Sequence, residues 1–297
     1  MSKINMTHMS KELVINWHIT EACNYKCDYC FAKWKGNTKE ILHSQLKIEA
    51  LLKQIENTRH LLNQKSNTIF FDKLRLNIVG GETFLYEKQL KNIVTLSKKY
   101  GFKLSAITNG SLFNSSNMEF IAQNFASLGI SVDSLNEQTN SDIGRSAKNV
   151  VFNPSQVLKA IHYMRTVNPS IEIKINTVVN KMNYSEDLND FITIAQPTKW
   201  KIFKLLPIYS NKFEIQDKEF SIFIQKHAYF EHIISVENNS DMTESYLMID
   251  PLGRFFQNGL DHGYNYSLSL CEVSAEIALQ QIHFDTQKFI DRYRRII

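Results

Sequence analysis

Cys23, Cys27 and Cys30 are the residues of this chain best suited to redox chemistry. They stand in the run Cys23-Asn24-Tyr25-Lys26-Cys27-Asp28-Tyr29-Cys30, so one short loop offers three thiolates and no fourth. A [4Fe–4S] cube held by three cysteines keeps one iron without a protein ligand. That open iron suits a small chelating molecule, of which S-adenosylmethionine is the usual one. The site then feeds electrons into a bound cofactor that carries the hard chemistry. The remaining cysteine, Cys271, has no CxxC partner beside it. A structural zinc ion wants four ligands at paired spacings, so a tetrahedron completed by His18 or His43 is the minor alternative. Disulfides fit worse: four cysteines in 297 residues, three of them crowded together, do not make a secreted framework. Tyr25, Tyr29 and Phe31 would shield the cube from water and raise its sensitivity to local charge.

Other polar groups fall where strands end. Gly80-Gly81-Glu82 follows the strand expected at 74–79, and paired glycines let backbone approach a ligand closely. Glu82 offers oxygens to an ammonium group. Asn109-Gly110-Ser111 repeats the arrangement one unit later, although the same triplet is a common turn. Ser131 and Arg145 suit a ribose and a carboxylate, since the guanidinium fork can bind both carboxylate oxygens. Lys174 and Asn176 alternate along one strand and so share a face. Lys199 and Lys201 do likewise on the next. Lysines turned into a barrel are costly unless paired with charge, so an inward Lys174–Lys201 pair implies an anionic ligand. Turned outward, they are ordinary solvated charges. Arg75 and Arg254 are further candidates for the same site.

The elements that must position these residues alternate strand and helix. Strands are expected at 13–19, 74–79, 103–108, 130–132, 171–178 and 199–205. Helices are expected at 44–62, 87–100, 116–127, 154–167 and 187–195. Gly101 stops one helix, and Asn153 with Pro154 opens another. Six such units predict an α/β fold, a partial (βα)6 barrel with parallel strands and right-handed crossovers. Ligands of such sheets gather at the carboxyl ends of the strands. From Pro207 the rhythm breaks into a helix near 217–231, a hairpin at 245–256 and C-terminal helices. The reading is a tail at 1–12, a barrel at 13–206 carrying the cluster and cofactor sites, and an extension at 207–297 that closes the open side and joins the substrate site.

Composition sets the outer limits. A chain of 297 residues with 43% hydrophobic and 22% charged residues can bury a full core. The net charge of +4 is mild and spread out, which argues against a nucleic-acid face. No apolar stretch approaches the roughly 18 residues that a membrane helix needs. Free cysteines without an export signal predict a reducing cytoplasm.

Three motifs coincide: CNYKC-DYC, NIVGGE and the strand end TNGS. Together they resemble the radical S-adenosylmethionine superfamily. More specifically the chain is similar to the viperin family, and best to its prokaryotic members, from Asn16 to about Arg292. The similarity includes VDSLNEQTNSDIGR, KINTVVNKMNYSEDL, KWKIFKLLPI and ESYLMID. The resemblance implies a [4Fe–4S] cluster and S-adenosylmethionine, a 5′-deoxyadenosyl radical that takes the ribose 4′ hydrogen of a nucleoside triphosphate, and loss of the 3′-hydroxyl as water. The implied product is a chain-terminating 3′-deoxy-3′,4′-didehydro nucleotide made in antiviral defence. The implied partners are CTP, UTP or GTP, a reductant such as flavodoxin or ferredoxin, and a neighbouring nucleotide kinase, with no nucleic acid or membrane.

Carried over by motif, Cys23, Cys27 and Cys30 match the cluster ligands. Gly80, Gly81, Glu82, Asn109, Ser131 and Arg145 match cofactor contacts. Asn77, Lys174, Asn176 and Lys201 match nucleotide contacts, and Tyr246 matches a hydrogen or proton donor near the sugar. Thr83 replaces the family's proline after GGE, which is expected to loosen that loop. Residues 257–265 are almost uncharged where animal members carry a basic loop. The alternatives are another radical reaction, such as peptide modification or glycyl-radical activation, and a non-catalytic iron–sulfur or zinc scaffold.

Overall fold

The computed structural model describes residues 9–30, 39–65, 69–148, 150–207, 211–237, 243–258 and 264–294. Phe31 and positions 259–263 of the uncharged loop lie outside the described residues. The strands and helices run β1 (Met9–His18), α1 (Gln45–Lys65), β2 (Ile69–Val79), α2 (Glu87–Lys99), β3 (Lys103–Thr108), α3 (Ser115–Asn124), β4 (Ser127–Ser131) and α4 (Glu137–Asp142). A small ribbon, β5 (Ser146–Ala147) with β6 (Val150–Val151), precedes α5 (Pro154–Val167), β7 (Glu172–Val179), α6 (Asn189–Ala195) and β8 (Lys199–Lys204). The rest comprises α7 (Asp217–Lys226), β9 (Ile234–Glu237), β10 (Leu247–Ile249), β11 (Arg254–Asn258), β12 (Tyr264–Ser269), α8 (Ala275–Leu279) and α9 (Thr286–Arg294).

One sheet carries the fold in the order β12-β11-β10-β1-β2-β3-β4-β7-β8-β9. Its strands from β10 through β9 pair in parallel, and β10, β11 and β12 pair antiparallel. This is the expected curled α/β sheet, not closed by pairing of its edges. The segment after 207 departs from the expected appendage. Helix α7 leads into β9, which pairs parallel with β8 and so adds a seventh strand on that edge. The anticipated hairpin is present as β10 and β11, but β10 joins β1 on the opposite edge. The extension therefore widens the sheet on both sides.

Local sequence explains most boundaries. The Asn153 side chain accepts from the N–H groups of Ser155 and Gln156, satisfying donors that open α5. Gly101 ends α2 with φ +71, a left-handed conformation that glycine adopts without strain. Helix α3 stops at Asn124, earlier than its residue types suggest, because Phe125 turns extended and Ser127 enters β4. One face of the sheet is covered by helices. Ile173, Ile175, Trp200 and Ile202 are fully buried there, and Trp200 packs edge-on against Phe223 and His227. Among the described residues, no helix is long and apolar enough to cross a membrane.

Alternation then fixes the other face. Opposite Ile173 and Ile175 stand Lys174 and Asn176, and opposite Trp200 and Ile202 stand Lys199 and Lys201. Lys174, Asn176, Lys199 and Lys201 turn away from the helices, into the concave side of the sheet.

Candidate active site

The cysteine loop leaves the carboxyl end of β1 and is bound to its neighbours by backbone. Gly81 donates to the Thr20 carbonyl at 2.8 Å and Glu82 to the Ala22 carbonyl at 2.8 Å. The GGE turn thus lies directly against the residues that precede Cys23. A Cβ on Gly81 would meet the Ala22 carbonyl oxygen at 2.1 Å, and one on Gly80, at φ +147, would meet Thr20 O at 2.7 Å. On the other side Lys26 N–H donates to Gly144 O at 3.1 Å and Asp28 N–H to Ile143 O at 3.2 Å. Asn109 and Asn24 join side chains at 3.0 Å, and Asn24 donates to Ser111 at 2.8 Å.

The cofactor candidates form a connected polar shell around that loop. Glu82 is buried and accepts from Thr108 Oγ1 at 2.7 Å, Asn109 N–H at 2.8 Å and Phe84 N–H at 3.1 Å. Burial raises its pKa, and those hydrogen bonds only partly oppose the rise. Arg145 is 3% exposed; its Nη1 donates to Asp133 at 2.9 Å and its Nη2 to the Ser131 carbonyl at 2.6 Å. Its fork is therefore occupied by the protein rather than held open for a carboxylate. Among the described residues its Nε, a buried donor, has no hydrogen-bond partner. Thr83 does not loosen its loop: Oγ1 donates to Ile107 O at 2.6 Å, tethering the turn to β3.

These features fit a cluster and a sulfonium cofactor. The donor set is three thiols on one loop, the glycines form a cradle that any Cβ would fill, and a buried Arg145 donor awaits a partner. Among the described residues no three Cys, His, Asp or Glu side chains converge on one ion site. A cubane places its thiolates on separate irons and needs no such convergence. The zinc alternative loses its histidines. His18 is buried against Phe256, with ring centroids 5.0 Å apart, and His43 packs on Tyr86. Burial pushes the Cys27 thiol up to about 12; Arg145 opposes the rise, and Asp133 and the other two cysteines add to it.

A second polar group lines the concave face below. Asn77 sits between Asn16 and Ser105, donating to Asn16 at 2.7 Å and accepting from Ser105 at 2.7 Å. Arg75, two residues earlier on the same face, pairs with Glu12 at 2.7 Å. Lys174 pairs with Glu172 at 3.3 Å, and Asn176 stands beside Lys201 in register. Gly129 makes room there, since a Cβ would come within 3.1 Å of Asn176 Nδ2. Burial, followed by repulsion from Arg75 and Lys201, lowers the Lys174 pKa from 10.5 to about 8. These cations converge, and each is already paired with a carboxylate of the protein, Glu12, Glu172 or Glu237. Lys199 is buried at the foot of β8, in register with Lys174.

The sequence reading missed the residue that joins Lys201 to Tyr246. Glu237, at the end of β9 and 1% exposed, takes an ion pair from Lys201 at 2.5 Å and a hydrogen bond from the Tyr246 hydroxyl. Lys201 Nζ also approaches Tyr246 Oη at 3.5 Å. Tyr246 precedes β10, which pairs with β1 and β11, and Glu237 ends the edge strand β9, so this contact links strands from opposite ends of the sheet. The apolar run Ile233, Ile234, Val236 was the available signal for a strand ending in an acid. Asp133 was missed also, although it stands two residues after β4 and precedes Arg145 by one short helix.

Gly144 gives a direct test of how the loop is seated. At φ +81 its Cβ would come within 2.2 Å of Lys26 O, and left-handed geometry alone costs about 1–2 kcal/mol for other residues. Gly144→Ala is expected to displace the cysteine loop and lower bound iron after anaerobic reconstitution. Iron content equal to that of the unmodified protein would contradict this.

Comparison with known proteins places this geometry. Residues 17–193 match the Radical SAM superfamily. A protein of Psychrobacter lutiphocae named S-adenosylmethionine-dependent nucleotide dehydratase is 49% identical over 287 residues, covering 96% of this chain and 96% of that one. A protein of Pseudoalteromonas ulvae with the same name is 38% identical over 298 residues, covering 99% and 96%. The structure of native anSMEcpe with bound AdoMet superposes with a TM-score of 0.64 over 95% of this chain and 82% of that chain, at 16% identity, a likeness of fold alone. The chain belongs to the radical SAM superfamily and, within it, to the S-adenosylmethionine-dependent nucleotide dehydratases.

Proposed function

We propose that this enzyme converts a ribonucleoside triphosphate, CTP, UTP or GTP, into its 3′-deoxy-3′,4′-didehydro analogue with loss of water. The observation that carries this reading is one concave face holding two groups. A three-thiol loop with its glycine cradle stands at the strand ends, and inward Lys174, Asn176, Lys201 and Tyr246 lie below it. When bound, the [4Fe–4S] cluster and S-adenosylmethionine, the cofactors of the superfamily, supply one electron and a 5′-deoxyadenosyl radical.

The chain's own residues do the rest. Cys23, Cys27 and Cys30 hold the cluster, and Gly80, Gly81, Glu82, Asn109, Ser131 and Arg145 frame the cofactor. Arg75, Asn77, Lys174, Asn176, Lys199 and Lys201 bind the nucleotide, their cations meeting its phosphates. Tyr246 donates the proton with which the 3′-hydroxyl leaves as water, and a second electron from the reductant completes the didehydro product. The buried face excludes water from a reactive intermediate. A product without a 3′-hydroxyl terminates polymerase chains, which suits defence against phage in the cytoplasm. Flavodoxin or ferredoxin is the proposed electron source, and a neighbouring kinase the proposed supplier of triphosphate. Residues 13–206 form the cofactor-bearing body and 207–297 complete the nucleotide site through Glu237 and Tyr246.

Anaerobically reconstituted enzyme given dithionite, S-adenosylmethionine and each of the four common triphosphates should release one dehydrated nucleotide, detected by mass. Cofactor cleavage that leaves every triphosphate unchanged would end the assignment. Lys174 adds a pH signature. Its ammonium binds phosphate and its neutral amine does not, so nucleotide affinity should fall as pH rises through about 8. Lys174→Arg should move that loss to far higher pH. A profile unchanged by the substitution would contradict a phosphate role for Lys174.

A further inference from the structure

Asp133 is 2% exposed and receives contacts from three separate segments. The Tyr29 hydroxyl donates to Oδ2, Arg145 Nη1 donates to the same oxygen at 2.9 Å, and the Val178 N–H donates to Oδ1 at 2.7 Å. Its backbone carbonyl accepts from Asn183 Nδ2 at 2.6 Å. Tyr29 lies inside the cysteine loop, between Cys27 and Cys30, and its ring packs on Ile143, Leu205 and Phe213. Arg145 stacks between Tyr25, at 5.6 Å from its ring centre, and Phe152, at 4.8 Å. Val178 follows the nucleotide-facing Asn176 by two positions on β7. One buried carboxylate thus touches the cluster loop, the buried arginine and the substrate strand.

We infer that Asp133 is a positioning residue: through Tyr29 it seats the cysteine loop against β7, and its charge, balanced by Arg145, sets the reduction potential of the cluster. This inference rests on the reading that the three cysteines hold an iron–sulfur cluster. A purely structural anchor needs the hydrogen bonds but not the charge. Both charges also lie against the loop: Asp133 holds Tyr29, the residue before Cys30, and Arg145 holds Asp133 and lies over the ring of Tyr25, two residues before Cys27. Cluster potentials follow net charge and hydrogen bonding nearby. Reduction adds an electron, so uncompensated negative charge makes it harder and uncompensated positive charge makes it easier.

Two substitutions then predict shifts of opposite sign. Tyr29→Phe keeps the ring packing but removes the donor that offsets the carboxylate, so the midpoint potential should become more negative. Asp133→Asn keeps an acceptor for Val178 but leaves Arg145 unbalanced, so the potential should become more positive. The holoenzyme is reconstituted anaerobically, iron is counted, and the fraction of reduced cluster is followed by electron paramagnetic resonance at fixed poise. Full iron with opposite shifts supports the inference; no shift, or shifts of the same sign, overturns it. If Asp133→Asn takes up no iron, Tyr29→Phe alone decides, a negative shift supporting and an unchanged potential refuting. None of these measurements contains nucleotide. A protein that shows the shifts yet dehydrates no triphosphate therefore sinks the dehydratase reading and leaves this inference standing.

Discussion

Replacing Cys27 by alanine is expected to give a folded protein that holds almost no cluster and cleaves no S-adenosylmethionine above background. Cys27 is the middle ligand of the three and is more enclosed than the exposed Cys23, its thiol pushed up by burial. Its loop is pinned by Lys26 and Asp28 to Gly144 and Ile143, and by Asn24 to Ser111 and Asn109. None of these bonds uses the thiol, so the loop should keep its course. Loss of a partner outside the ligand sphere already costs about 10–100-fold in metal affinity, and loss of a ligand costs more. Iron and sulfide analysis with the visible spectrum checks this. A Cys27→Ala protein with four irons per chain would overturn the ligand assignment, whereas Cys271→Ala should keep its iron.

The second large effect is expected at the Tyr246–Glu237–Lys201 group. Tyr246→Phe should still cleave S-adenosylmethionine but yield little dehydrated nucleotide for each 5′-deoxyadenosine formed. Glu237→Gln should uncouple the reaction by a smaller margin, because it removes the charge that holds both partners. A hydrogen bond to a charged group is worth about 1.5–3 kcal/mol. At about 1.36 kcal/mol per decade, that predicts roughly a 10- to 100-fold fall in product per cleavage. Glutamine also leaves the Lys201 ammonium without its counter-ion, so triphosphate affinity should rise while coupling falls. Lys201→Ala should raise KM for the nucleotide and leave cofactor cleavage in its absence unchanged. If Glu237→Gln weakens binding and coupling together, the residue is only a strut.

How much of this was legible in the sequence depended on whether local signals carried the decision. The Asn153–Pro154 start and the Gly101 stop are local, and α5 and α2 fall where those residues predict. The cysteine spacing is local too, and the loop it defines lies against the GGE turn. Strand alternation placed Lys174 with Asn176 and Lys199 with Lys201, but which face looked inward required Ile173 and Trp200 to meet their helices. β9 escaped notice because it is four residues long and owes its strand geometry to pairing with β8. Glu237 went with it. Asp133 and Arg145 stand 12 positions apart, and their ion pair is a tertiary event that no periodicity encodes. Thr83 was misjudged for the same reason: its tether is the carbonyl of Ile107, 24 residues away.

The central claim is tested most directly by isotope transfer from the nucleotide sugar. A ribonucleoside triphosphate carrying deuterium only at C4′ is incubated with the reconstituted enzyme, unlabelled S-adenosylmethionine and reductant. The account predicts one deuterium in the recovered 5′-deoxyadenosine and an unlabelled nucleotide product, lighter than the labelled substrate by one deuterium and one hydroxyl group. Unlabelled 5′-deoxyadenosine beside a dehydrated nucleotide, or label transferred only from another sugar position, would contradict it.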